Sequence, residues 1–208
     1  MGPTHQLDSR LDRTIQYYQV NASKYVEQTQ GIDMGQFYEA FLPLVAEGGR
    51  ILDVGCGAGR DLKRFRDQGF NAEGIEPAPA LANICRTYTG ARLRQLRVED
   101  LHVSGQYDGI WACASLLHIP RTRLQDALKR LIKALKSGGV LYMSFKRGHT
   151  DHVADDGRLF DDQTCENLLK VANALPRTEV LRCWETPDQQ GDRQTLVWTN
   201  MLVCKLPD

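Results

Sequence analysis

The chain has 208 residues, 42% of them hydrophobic and 25% charged, which suits one folded domain with a full core and excludes a disordered or fibrous chain. Lys plus Arg number 26 and Asp plus Glu number 26, so no global field draws it toward nucleic acid or an anionic membrane. No run approaches the ~18 apolar residues of a membrane span; "MGPTHQLDSRLDR" lacks the apolar segment of a secretory signal and has Gln6 where a myristoylation signal needs Ser or Thr.

Taken in chain order, residues 14–29, "TIQYYQVNASKYVEQT", place Tyr17, Tyr18 and Tyr25 at helical spacing without a continuous apolar stripe. Strands are predicted at 50–55 (RILDVG), 71–77 (NAEGIEP), 91–98 (ARLRQLRV), 107–115 (YDGIWACAS) and 139–146 (GVLYMSFK), each pair separated by enough chain for a crossover helix. That alternation predicts a parallel sheet covered on both faces. The clearest helix runs over 121–136, where Leu124, Leu128, Leu131, Ile132 and Leu135 repeat at three and four residues; Thr122 with Gln125 predicts a capping box, and "KSGG" a stop. Residues 147–162 read as a long polar loop, a feature usually tied to function. "TEVLRCWET" and "TLVWTNMLVCK", joined by "PDQQGDRQ", predict a closing antiparallel hairpin. Six cysteines, at 56, 85, 113, 165, 183 and 204, show neither C-x-x-C nor zinc-ligand spacing. They are expected to be reduced, mostly buried thiols of a cytoplasmic protein, with no metal site.

The chemistry concentrates in "RILDVGCGAGRDL", residues 50–62. Gly55, Gly57 and Gly59 after a strand let the backbone turn sharply and approach a flat ligand without Cβ atoms in the way. About 20 residues on, at the end of the next strand, Glu76 stands where a carboxylate would accept from both hydroxyls of an adenosine ribose. Asp53 beside the turn would repel a pyrophosphate and suits a ligand with a cationic end.

Here the sequence resembles the class I S-adenosylmethionine (SAM)-dependent methyltransferases. "LDVGCGAGRDL" is similar to their first motif, "GIEPAPAL" to the second, "VEDL" to the third, "YDGIWACASLLHIP" to the fourth and "LKSGGVLYMSF" to the strand after it. The resemblance implies one Rossmann-like α/β domain over 1–208, a seven-stranded mostly parallel sheet ending in the antiparallel hairpin, with helices on both faces. It implies SAM as cofactor, with Asp53 orienting the methionine ammonium, Gly55, Cys56, Gly57 and Gly59 lining methionine and ribose, and Glu76 holding the ribose. Glu99, Asp100 and Leu101 would frame adenine, Asp100 taking its amino group, and Ala114 would face the sulfonium. Pro77 departs from the family pattern and stiffens that loop, leaving the carboxylate available.

Residues 1–30 resemble the helical lid of small-molecule members, giving Tyr18 and Tyr25 to the cleft. On the acceptor side stand Lys146, Arg147, His149, Arg158 and Phe160, with His118 or His149 as candidate base for a protonated nucleophile. The expected partner is a small-molecule acceptor, without nucleic acid or membrane, for a monomer or homodimer. The C-terminal half is similar to the tellurite-resistance branch, which implies a metalloid or thiol-like acceptor. A tRNA wobble-uridine methyltransferase and a non-catalytic SAM-binding module remain as alternatives.

Overall fold

The computed structural model describes residues 9–190 and 195–207. Residues 1–8 of the expected lid and 191–194 of the hairpin turn lie outside that range.

Three helices lead the chain, α1 (Ser9–Val20), α2 (Ala22–Thr29) and α3 (Gly35–Phe41). Then β1 (Arg50–Val54), α4 (Arg60–Asp67), β2 (Asn71–Ile75), α5 (Pro79–Thr89), β3 (Leu93–Arg94), β4 (Tyr107–Ala112), α6 (Arg121–Ala134) and β5 (Leu135–Lys146) alternate. A short hairpin, β6 (Asp151–Val153) and β7 (Leu159–Asp161), is followed by α7 (Cys165–Asn173), β8 (Thr178–Pro187) and β9 (Val197–Lys205).

The main sheet has seven strands in the order β3-β2-β1-β4-β5-β9-β8. Strands β1 to β5 pair in parallel, and β9 runs antiparallel to both β5 and β8. The α/β Rossmann-like sheet with its antiparallel C-terminal hairpin is therefore as the sequence predicts.

Alternation along the strands divides the core into two layers. Leu52, Ile110, Leu141 and Met201 face α6 and α7, where Leu128, Leu131 and Leu168 are buried. Their neighbours Ile51, Trp111, Tyr142 and Leu202 face the other way, onto Phe37 and Phe41 of α3 and Leu62 and Phe65 of α4. Trp111 stacks on Tyr142 with centroids 4.0 Å apart, which ties β4 to β5 on that face. The crossover β2-β1-β4 leaves the carboxyl ends of these strands as the natural ligand crevice.

Several predicted details are corrected. The helix over 121–136 ends at Ala134, because "KSGG" belongs to β5: Tyr107 pairs Leu135 and Gly109 pairs Val140, so the residues between bulge out of the ladder. No capping box forms, since the N-cap is Pro120, two residues before Thr122, which places Thr122 inside the first turn. The strand expected over 91–98 shrinks to Leu93–Arg94, the sheet edge, and Val98–Asp100 forms a 3-10 turn. The loop expected over 147–162 holds the β6–β7 hairpin, and α7 follows it, capped by Thr164 accepting from the Asn167 amide at 3.2 Å.

The reading of six free thiols is also corrected. Cys165 and Cys183 form a disulfide linking α7 to β8, with Cα atoms 5.9 Å apart. Eighteen residues separate them, a spacing that carries no signal in sequence; only the return of β8 against α7 brings them together. Cys56, Cys85, Cys113 and Cys204 are free. Among the described residues no helix is long and apolar enough to cross a membrane.

Candidate active site

The turn after β1 is built on positive φ. Gly55 has φ 66°, and a Cβ there would stand 2.5 Å from the Ser115 side chain; Gly57 has φ 54°, and a Cβ would meet the Tyr25 ring at 3.2 Å. Bare backbone at both positions lets β1, the turn after β4 and the lid approach one another around a cleft. Gly59, also left-handed, faces Thr89 and Cys85 of α5 instead. It shapes the turn and lines neither part of the cleft.

The cleft has two lobes, of about 720 Å³ and about 1160 Å³ with their open mouths included. Tyr18, Tyr25, Gly55, Ala114 and His118 line both and mark the boundary. Ala114, at φ 49°, is a non-glycine residue in the left-handed region, and its amide donates to Ser144 Oγ at 2.9 Å. The backbone thus bends sharply where the two lobes join.

In the first lobe Glu76 sits at the end of β2. Its Oε2 accepts from the Gly57 amide at 3.0 Å and its Oε1 from the Ala78 amide at 2.8 Å. Burial raises its pKa to about 7, and the two amide bonds work against that rise. Apolar side chains of Ile75, Leu96, Val98 and Leu116 form the walls, and Glu99 enters beside them. Asp100 is exposed and lines a shallow outer depression with Gln95 and Arg97, while Leu101 is buried in the core. Of Glu99, Asp100 and Leu101, expected to frame adenine, only Glu99 lines the cleft, beside Val98, because the 3-10 turn directs Asp100 outward and Leu101 into the core.

In the second lobe Asp53 is 3% exposed. Burial, reinforced by the neighbouring Asp61, raises its pKa well above the ordinary value. Arg60 lies opposite: its Nε and Nη2 donate to Asp61 at 2.6 and 2.9 Å, and its Nη1 to the Thr29 carbonyl of the lid at 3.1 Å. Asp61 also accepts from Tyr38 Oη and Trp111 Nε1. Cys56 lines this lobe with its sulfur 3.8 Å from that of Cys85.

His118 is held at both ring nitrogens. Nδ1 lies 2.6 Å from the Leu159 carbonyl and Nε2 lies 2.8 Å from Tyr18 Oη. A carbonyl can only accept, so Nδ1 carries the proton and Nε2 accepts from Tyr18. Burial lowers the His118 pKa to about 4, with Arg158 and Lys146 adding to the effect. Arg158 Nη1 reaches Tyr18 Oη at 3.4 Å. Lys146 Nζ stands 3.6 Å from the Phe160 ring centroid and the Arg158 guanidinium 5.0 Å from it. His149 is exposed and outside the cleft, its carbonyl accepting from Arg121; Arg147 is likewise exposed, paired with Glu185. The chain turns outward at Arg147, and only Lys146, Arg158 and Phe160 of the acceptor-side set reach the lobe.

Five buried side-chain polar atoms have no hydrogen-bond partner among the described residues, and three of them, Asp53 Oδ2, Ser115 Oγ and Glu99 Oε1, belong to cleft residues. Orphaned groups of this kind are rare in folded proteins and call for a ligand or water. SAM would answer two of them, its ammonium at the Asp53 carboxylate and its adenine amino group at Glu99, and its ribose would suit Glu76. Arg60, beside Asp53, would take the methionine carboxylate. Neither Arg60 nor Ser115 is recognisable from the glycine motif alone, although Arg60 follows its last glycine and opens α4.

Comparison with known proteins identifies the family. A methyltransferase domain model matches residues 25–186, and the chain belongs to that family. It is 33% identical over 105 residues to a ubiquinone biosynthesis O-methyltransferase of Xanthomonas oryzae pv. oryzae (strain PXO99A), covering 47% of this chain and 43% of the relative. It is 32% identical over 129 residues to a malonyl-[acyl-carrier protein] O-methyltransferase of Enterobacter lignolyticus (strain SCF1), covering 61% and 51%. The chain thus spans about half the length of the curated relatives it matches. Over its full length it superposes on the Burkholderia thailandensis 1,6-didemethyltoxoflavin-N1-methyltransferase with a TM-score of 0.77 and 16% identity, covering 100% of this chain and 99% of that one. That structure holds S-adenosylhomocysteine (SAH) and 1,6-didemethyltoxoflavin.

Proposed function

We propose that the protein moves a methyl group from SAM to the oxygen or nitrogen of a small-molecule acceptor. The observation that carries this reading is the set of unpartnered buried atoms, Asp53 Oδ2, Ser115 Oγ and Glu99 Oε1, on residues of a two-lobed cleft whose lobes share Tyr18 and His118. When bound, SAM supplies a methyl carbon on a sulfonium that departs as a neutral thioether.

The chain's own residues orient and dry that cleft. Asp53 and Arg60 fix the amino-acid end, Glu76 and Glu99 the nucleoside end, and Tyr25 covers Gly57. Residues 9–30 serve as lid and 147–162 as the acceptor-side wall of one domain. A protonated nucleophile gives its proton to Tyr18 Oη, while the Tyr18 proton passes to His118 Nε2, which is neutral above about pH 4. A metalloid lone pair, as the tellurite-resistance resemblance suggested, carries no proton and would leave this relay without a role, whereas a thiol would still give its proton to it. All of these groups come from one chain, which suits a monomer or a homodimer.

Incubation of metabolite pools with methyl-labelled SAM tests the reading. It predicts one small metabolite that gains the label. Binding of SAM with no labelled small molecule would indicate a non-catalytic module, and label in tRNA would indicate the RNA enzyme.

A further inference from the structure

The acceptor end of the second lobe brings two cationic side chains onto one aromatic ring. Lys146, at the end of β5, and Arg158, in the β6–β7 turn, converge on the ring of Phe160 at 3.6 and 5.0 Å. The carboxylates facing them, Asp162 toward Lys146 and Asp156 toward Arg158, stand behind them and line neither lobe. Carboxylates that do line the second lobe are engaged elsewhere. Asp61 is filled by Arg60, Tyr38 and Trp111, Asp188 takes Trp198 Nε1 and the Gln190 amide, and Asp53 faces the methionine end. Each cation is backed by a carboxylate outside the lobe, Arg158 by a close ion pair with Asp156, yet both line the cavity that those carboxylates do not, so an anion entering it would meet two cationic faces and add charge-assisted hydrogen bonds.

Resting on the methyltransferase reading above, we infer that the acceptor is a small carboxylic acid with an apolar body, its carboxylate seated between Lys146 and Arg158. The nucleophilic hydroxyl or amine then lies toward Tyr18. The acid would also complete the proton relay. His118 is faced by Tyr18 from α1, Lys146 from β5, and Asp156 and Arg158 from the β6–β7 turn, and the two cations oppose its protonation. A bound carboxylate offsets their field, so His118 becomes a stronger base only when the acceptor is in place. In the transfer, the bond between acceptor heteroatom and methyl carbon forms as the carbon–sulfur bond breaks, its electron pair staying on sulfur. The acceptor proton goes to Tyr18 as the Tyr18 proton goes to His118.

The test uses the full chain loaded with SAH. Benzoates, naphthoates, indole carboxylates and straight-chain carboxylates are each matched with the primary amide and the amine, and binding is read by calorimetry. Acids should bind about tenfold or more tighter than their amides, as expected for charge-assisted pairing. Lys146→Gln should erase that preference and Lys146→Arg should keep it, with thermal melts reporting that each variant is folded. Should Lys146→Gln unfold, Arg158→Gln reads the same preference. If SAH binds while amides or amines match the acids, or while no acid binds, the inference is wrong and the methyltransferase reading stands. If SAH itself does not bind, the reading beneath it fails as well.

Discussion

Tyr18 Oη donates to His118 Nε2 over 2.8 Å, joining the leading helix to the turn that follows β4, 100 residues further along the chain. The contact is supported on both sides. Thr14, one turn earlier on α1, accepts from the Leu159 amide at 2.9 Å, and the Arg158 guanidinium lies 4.2 Å from the Tyr17 ring centroid. The leading helix, the turn after β4 and the β6–β7 hairpin are therefore tied together beside the second lobe.

If Tyr18 and His118 relay a proton, Tyr18→Phe and His118→Ala should lower kcat by about 10²- to 10⁴-fold, the usual contribution of a positioned acid or base. SAH affinity should move only a few-fold. Rapid single-turnover assays separate this from slow product release. A kcat unchanged in Tyr18→Phe would remove the relay.

Glu76 makes the cofactor pH-dependent. Its pKa in the folded, ligand-free chain is raised to about 7 from 4.5 by burial. Between those values the folded chain holds a proton that the unfolded chain has lost, so stability falls as pH rises through that window. Ribose hydroxyls donate best to the ionised form, so SAH should bind tighter as pH rises from about 6 to about 8, releasing a proton. Calorimetry in buffers of different ionisation enthalpy reads that proton. Glu76→Gln should flatten the dependence and weaken binding by about 1–3 kcal/mol.

The sheet and the nucleoside end of the cleft were readable because both rest on local pattern: apolar strands at regular spacing, glycines at 55 and 57, and acids at 53 and 76. Asp100 and Glu99 show the limit. Both follow the third strand, but only the 3-10 turn decides which carboxylate turns inward. The Cys165–Cys183 disulfide and the stacking of Lys146 and Arg158 on Phe160 depend on contacts between distant segments, for which spacing carries no information. The "KSGG" bulge was misread because glycines that end helices also interrupt strands.

The lid and the acceptor-side hairpin should respond together. Adding SAH should slow hydrogen exchange in α1 and in β7 in parallel, because Thr14 and Leu159 share a bond across them. Thr14→Val should uncouple the two responses. Protection confined to the β1 turn would mean that the lid is a passive cover.

Core packing gives an independent check on the fold. Leu128 of α6 is 0% exposed, and Leu128→Ala should cost about 2–5 kcal/mol in urea denaturation. A loss below about 0.5 kcal/mol would place α6 off the sheet.

The most direct measurement is calorimetry of the full chain with SAM, SAH and NAD. The cleft of Asp53, Gly55, Gly57, Glu76 and Glu99 predicts that SAM and SAH bind at about micromolar Kd, roughly −8 kcal/mol, and that Asp53→Ala and Glu76→Ala each weaken both. NAD should give no heat, since Gly55, Gly57 and Gly59 stand at G-x-G-x-G spacing and not at the G-x-G-x-x-G spacing of a dinucleotide turn. Binding of NAD with no heat from SAM or SAH would contradict the account at its base.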